Sequence, residues 1–174
     1  MQFNKVFFVL AISILTAFSS NAQTKYAVIN TKYILDKIPE YKEADKKLKA
    51  LGDQWQSEID EKQMVLDKMY KNYEAEQFML SEDLKKKRED ELFIKEKELR
   101  DLQKKRFGYE GDLFKERQKL VKPIQDKVYN VVQKMAIARS YDFILDKSEG
   151  ITIIFADPKL DKSDDVLRQL GVIN

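Results

Sequence analysis

Residues 48 to 80 read LKALGDQWQSEIDEKQMVLDKMYKNYEAEQFML, and the spacing of their apolar members decides the fold. Placed at 100° per residue from Leu48, the side chains of Leu48, Leu51, Trp55, Ile59, Leu66, Met69, Tyr73 and Leu80 fall near one line, and Leu84 continues it. Steps of three, four and seven residues make a coiled-coil-like seam with one stutter. The intervening positions are rich in Lys, Glu, Asp and Gln, which suits a solvated helix face. A seam on one side and charge on the other calls for a partner helix.

The partner follows in the chain. Counted from Leu92, residues Leu99, Gln103, Leu113, Phe114, Val121, Ile124, Val128, Val132 and Met135 form a second stripe, flanked by Leu102, Phe107 and Leu120. Two stripes with a break between them predict a helical hairpin. The break is expected between Gln77 and Glu82, with Ser81 as an N-cap ahead of Glu82 and Asp83; one uninterrupted helix is the alternative. Each arm then has about 40 residues and, at 1.5 Å rise, extends about 60 Å. Pro123 marks a kink, or the first turn of a further helical section running to Ala138 or Arg139.

Short extended segments flank the hairpin. Lys25 to Asn30 (KYAVIN), Tyr141 to Leu145 (YDFIL) and Ile151 to Phe155 (ITIIF) read as strands, with a turn over Asp146 to Gly150. Lys32 to Ile38 reads as one or two helical turns stopped before Pro39. Ser163 to Leu170 reads as a short helix capped by Ser163 and stopped by Gly171. Three strands of about fifteen residues in all cannot bury a stable core alone. They are expected to complete a sheet with copies of themselves. The expected fold is mainly α with a small β body: a long antiparallel helical hairpin projecting from a short-stranded oligomeric β core. The expected division is a leader at 1–22, a β-containing trimerisation body at 23–39 and 122–174, and a hairpin arm at 40–121.

The leader has the three parts of an export signal. Lys5 lies in a short basic start, Val6 to Phe18 is apolar, and Ser20-Asn21-Ala22 is a small-x-small cleavage site, leaving Gln23 as the first mature residue. An apolar run of about thirteen residues is shorter than the roughly twenty that span a bilayer. The chain is therefore expected to be exported and cleaved after Ala22. Loss of Lys5, the leader's one charge, takes the net charge from +2 to +1. No large single-sign field remains to recruit nucleic acid.

Catalytic chemistry is not visible. The chain has no His and no Cys, which removes the commonest general base and the usual transition-metal ligands. Phosphate-binding glycine loops and nucleophile elbows are missing too. Acidic pairs such as Asp60-Glu61 sit among basic neighbours and read as salt-bridged helix faces. Neither an enzyme nor a bound metal or cofactor is expected. The run Lys85-Lys86-Lys87-Arg88 reads either as an ordinary charged face, neutralised by Glu89, Asp90 and Glu91, or as a weak contact for anionic lipid or lipopolysaccharide.

Apolar residues that miss the seam are more informative. Met64, Phe78 and Met79 lie more than 100° from the first stripe, and Phe93 and Ile94 miss the second similarly. Folding the hairpin about residues 80 and 81 puts Met64 within a few positions of Phe93 and Ile94. Flexible Met and aromatic side chains suit a surface that accepts varied apolar partners. Contact with a neighbouring subunit, or a wrong phase after the stutter, would explain them equally. The same fold line brings Gly52 opposite Gly108 and Gly111, two glycines expected inside the second arm's helix. They either make room for the Trp55 indole or form a hinge.

The order of elements and two motifs resemble the Skp (OmpH) family of periplasmic chaperones. Lys25-Tyr26-Ala27-Val28-Ile29-Asn30 resembles the family's opening strand. Tyr141-Asp142-Phe143-Ile144-Leu145-Asp146, then Phe155-Ala156-Asp157-Pro158-Lys159-Leu160-Asp161 and Asp164-Asp165-Val166-Leu167, resemble its closing element. The resemblance implies a periplasmic homotrimer whose three hairpins enclose a cavity that holds unfolded outer-membrane proteins without ATP. Met64, Phe78, Met79, Phe93 and Ile94 would then be client-binding residues, and Gly52, Gly108 and Gly111 a hinge. Family members are often strongly basic, whereas this chain is near neutral. The other function left open is a structural or adaptor coiled-coil protein of the envelope.

Overall fold

The computed structural model describes residues 24–148 and 153–174. The expected leader and its cleavage site lie outside the described residues, as do Gly150, Ile151 and Thr152. Strand β1 is Tyr26–Ile29, followed by helix α1 (Thr31–Lys37) and helix α2 (Pro39–Glu76). After the turn at 77–81 come helix α3 (Glu82–Phe107), helix α4 (Asp112–Arg139) and strand β2 (Phe143–Asp146). A 3-10 turn at Pro158–Leu160 and helix α5 (Ser163–Gln169) complete the chain.

Local chemistry sets these bounds. Asn30 Oδ1 accepts the Tyr33 amide at 2.9 Å and so caps α1. Ile38 is extended ahead of Pro39, which opens α2 at its first position. From Pro39, α2 runs 38 residues without interruption. Ser81 occupies the N-cap position of α3 in an extended conformation, though its side chain makes no capping bond. At the far end, Ser140 closes α4 at φ 53, and its amide reaches the carbonyls of Ala136 and Ile137. Gly171 stops α5 at φ 72, a conformation glycine adopts without penalty.

β1 and β2 pair in parallel, Tyr26 beside Phe143 and Ile29 beside Asp146. The hairpin is thus the crossover between two parallel strands. On the other edge of β1, Val28 bridges to Asp161, and the Lys162 amide donates to the Val28 carbonyl at 2.8 Å. Among the described residues the second edge of β2 carries no strand. Asp146 ends β2 by accepting from the Thr31 amide and hydroxyl and the Ser148 amide, which ties that strand to the start of α1.

Two separate cores result. The body core joins Ile29, Ile34 and Ile38 to Leu48 of α2, to Val121, Ile124, Val128 and Met135 of α4, and to Val166 and Leu167 of α5. The arm core is smaller: Ile59 and Leu66 of α2 against Leu92 and Leu99 of α3, with Met69, Tyr70, Tyr73 and Leu102 around them. Between Leu48 and Ile59 on one arm, and between Leu99 and Val121 on the other, no apolar side chain is fully buried.

Several sequence expectations need correction. The second arm is two helices: α3 ends at Phe107 and α4 starts at Asp112, so Gly108 and Gly111 flank a break instead of lying inside a helix. Pro123 stands within the continuous α4 and opens no new helix. Ile153, Ile154 and Phe155 belong to no strand, and Ile154 and Phe155 are exposed. Ser163 is the first residue of α5, not its cap. Its amide and hydroxyl donate to Asp161 Oδ1, and its Oγ accepts the Asn30 amide. Leu84 and Phe114, placed on the stripes by counting, are 51% and 44% exposed.

Candidate functional site

The hairpin's register is fixed by three polar contacts across the arms. Tyr70 donates its hydroxyl to Glu96 Oε1 and Tyr73 to Glu89 Oε1, each at 2.5 Å, and Arg106 Nη2 donates to Glu58 Oε2 at 3.1 Å. In both tyrosines the bond to the carboxylate pushes the phenol above its usual range, with burial and the acceptor's charge adding to it. This register centres the fold near residue 82. Met64 therefore lies opposite Arg100, not Phe93 and Ile94, which sit about 10 Å nearer the tip at 1.5 Å per residue.

All five off-seam residues are exposed: Met64 by 64%, Phe78 by 88%, Met79 by 80%, Phe93 by 62% and Ile94 by 53%. Phe78 and Met79 share the turn at the tip, and Phe93 and Ile94 share one level of α3. Met64 stands apart from both pairs. Its neighbour Val65, also exposed, belongs with it and was not singled out from the sequence, although at 100° from the seam it falls on the margin of the same count. At the tip, Lys85 pairs with Glu82 and Arg88 with Glu91, while Lys86 and Lys87 have no ion-pair partner among the described residues. Half of the basic run is neutralised, half is not. Among the described residues no helix is long and apolar enough to cross a membrane.

The glycine level forms an elbow. The Gly108 amide donates to the Lys104 carbonyl at 2.9 Å and so ends α3. The Gly111 amide then donates to the Gly108 carbonyl, and between them Glu110 takes φ 54. A Cβ on Gly108 would lie 2.3 Å from the Lys104 carbonyl oxygen, and one on Gly111 would lie 2.8 Å from that of Lys105. These two glycines make room for the chain's own backbone, not for the indole. Nothing lies within 4 Å of a Cβ built on Gly52, so it spares no neighbour at all. Trp55 instead meets Phe107 edge-on, ring centroids 6.4 Å apart. The Arg106 guanidinium carbon lies 4.9 Å from the centroid of the same indole. Sequence reasoning missed Arg106 because one Arg among many Lys and Arg residues gives no positional signal.

Comparison with known proteins adds the following. A family model described as outer membrane protein (OmpH-like) matches residues 25–170. A crystal structure from Caulobacter crescentus CB15, assigned as an OmpH-like outer membrane chaperone, shares the fold at a TM-score of 0.63 and 18% identity. The match covers 87% of this chain and 86% of that chain. Comparison with curated proteins gives no match.

Proposed function

As the chain belongs to the OmpH-like outer membrane protein family, we propose that it is an ATP-independent holdase chaperone of the periplasm. It binds unfolded outer-membrane proteins in a cavity between helical arms. The observation that carries this reading is the exposure of Met64, Phe78, Met79, Phe93 and Ile94 on a hairpin that already buries its own seam. The hairpin gains nothing for its stability from those side chains. Burying one Phe or Ile against a client is worth about 1.5–3 kcal/mol, so a few contacts hold a client weakly and reversibly. Met and Phe re-pack readily, which suits clients of varied sequence. The fold-alike Caulobacter protein carries the assignment of chaperone.

The arms need a base. A two-stranded sheet whose β2 edge carries no strand among the described residues, together with the exposed Phe143, Ile154 and Phe155, supports assembly of copies through the body, and we place that assembly as a homotrimer. The level of Gly52, Gly108 and Gly111 serves as a hinge that spreads the arms around large clients. Its support is the gap between the two cores at that level. Lys86 and Lys87, near the start of α3, offer a weak contact for anionic lipid or lipopolysaccharide.

The test is light scattering. An unfolded outer-membrane barrel protein is diluted from denaturant, without ATP, in the presence and absence of this protein. Suppressed scattering at near-stoichiometric ratio is expected. Equal scattering in both would leave the adaptor reading, in which the hairpin is a spacer.

A further inference from the structure

One side chain joins the three helices that meet at the elbow. Arg106, in the last turn of α3, donates from Nη1 to Asp112 Oδ2 at 2.7 Å, at the start of α4. From Nη2 it donates to Glu58 Oε2 at 3.1 Å, on α2. Its guanidinium carbon lies over the ring of Trp55, also on α2, 4.9 Å from the centroid. The bond to Asp112 spans the non-helical stretch 108–111, and the bond to Glu58 spans the gap between the arms. The body core and the arm core stop on either side of this layer, so apolar packing alone does not make them one rigid piece.

We propose that Arg106 is a latch that sets the angle between the outer arm and the body. Released, it lets the hairpin bend at 108–111, with Gly52, the one glycine of α2, as the yielding point of the continuous helix. The fork of the guanidinium is what the position requires: two donors in fixed geometry toward two carboxylates, and a flat face for the indole. A lysine would satisfy one carboxylate at a time. The latched form is also imperfect, since Arg106 Nε is buried without a hydrogen-bond partner among the described residues. A buried donor left unmet favours the state in which water can reach it, which lowers the cost of releasing the latch without making the bent form the resting one. The pairs are partly buried, with the side chain of Arg106 22% exposed. They are screened by salt less than surface pairs are, and the latch holds at physiological ionic strength.

The proposal rests on the elbow being a hinge, not on client binding, and its readout is a distance within the protein alone. The chain has no cysteine, so Asp90→Cys on the outer arm and Lys127→Cys on the body give a unique spin-label pair. Electron–electron double resonance, with labelled protein diluted into unlabelled, reads the distance within one chain. The expected result is a narrow distribution for the otherwise native protein, broadened and shifted in Arg106→Gln and broadened less in Arg106→Lys. If circular dichroism shows Arg106→Gln unfolded, Glu58→Gln alone, which frees the bond to α2, is expected to broaden the distribution. A distribution as narrow as the native one in the folded Arg106→Gln, or in Glu58→Gln, overturns the latch. Gly52→Ala added to Arg106→Gln separates the two ideas. Narrowing supports the glycine hinge as well, whereas an unchanged broad distribution keeps the latch and removes Gly52 from the hinge.

Discussion

Alanine at Gly108 and alanine at Gly52 are expected to change stability in opposite directions, although the two glycines stand at one level of the hairpin. Gly108 is the last point of α3 and is itself extended, at φ −69 and ψ 175. Alanine can adopt those angles, so the cost is steric. The new Cβ would lie 2.3 Å from the Lys104 carbonyl oxygen and 3.1 Å from its carbon, and both are backbone atoms of a rigid helix end. The end of α3 must shift, and overpacking of this kind costs about 1–3 kcal/mol. No helix-propensity gain offsets it, because the residue is not helical. Gly52 lies in the interior of α2 with nothing within 4 Å of a Cβ. There alanine gains about 1 kcal/mol from propensity and from a less flexible unfolded chain. For a chain of this size 1 kcal/mol moves the melting temperature by roughly 2–4 °C. Gly108→Ala should therefore melt several degrees below the native protein and Gly52→Ala a few degrees above it. Thermal circular dichroism reads both, with protein concentration held equal because an oligomer's melting point depends on it. A rise in melting temperature for Gly108→Ala would mean that residues 104–115 form continuous helix in solution, and that the elbow does not exist.

Three further outcomes follow from the packing and the charges. Leu66 is buried in the small arm core, and Leu66→Ala should lower stability by about 2–3 kcal/mol, near the low end for Leu truncation because a two-helix arm can partly collapse; chemical denaturation checks it. The carboxylates of Asp146, Asp161 and Asp165 anchor the body. Burial pushes each upward, but bonds from Thr31 and Ser148, from Lys147 and Ser163, and from Arg168 and Arg139 respectively outweigh it, leaving all three below the usual carboxylate value. A group depressed in the folded state contributes stability above its unfolded value, about 3.9 for Asp. That stability is lost as pH falls through the lower folded value. Acid titration should thus show the body melting below about pH 4, and Asp146→Asn should reduce both the neutral-pH stability and its slope with pH. Sedimentation at micromolar concentration should give the mass of three chains, and a folded monomer there would contradict assembly through β1 and β2.

The hairpin was legible because a seam repeats. Leu48, Ile59, Leu66, Leu92 and Leu99 are buried as their angles require, and any core two helices thick must show such a stripe. The count failed where helix was assumed and absent. Leu84 was reached by counting through the turn at 77–81, and Phe114 by counting through 108–111; across non-helical residues the 100° step has no meaning. Exposure of Phe93 and Ile94 was legible for the same reason in reverse, since they miss the second stripe, whereas Phe78 and Met79 are exposed because they sit in the turn itself, where the count has no meaning. The elbow was only half legible. Two glycines in an otherwise glycine-poor arm mark it, but a continuous heptad pattern runs over it, and the backbone clash that requires glycine appears only in three dimensions. The third strand was not reproduced at Ile153 to Phe155, which are β-prone yet pair with no strand among the described residues.

The most direct test replaces Met64, Phe78, Met79, Phe93 and Ile94 together by Ser and measures how much aggregation of a diluted outer-membrane barrel protein the variant prevents. Helicity and sedimented mass should match the native protein, because none of the five lies in either core, while suppression of light scattering falls sharply. Full suppression by the folded five-fold variant would contradict the assignment of client binding to these side chains.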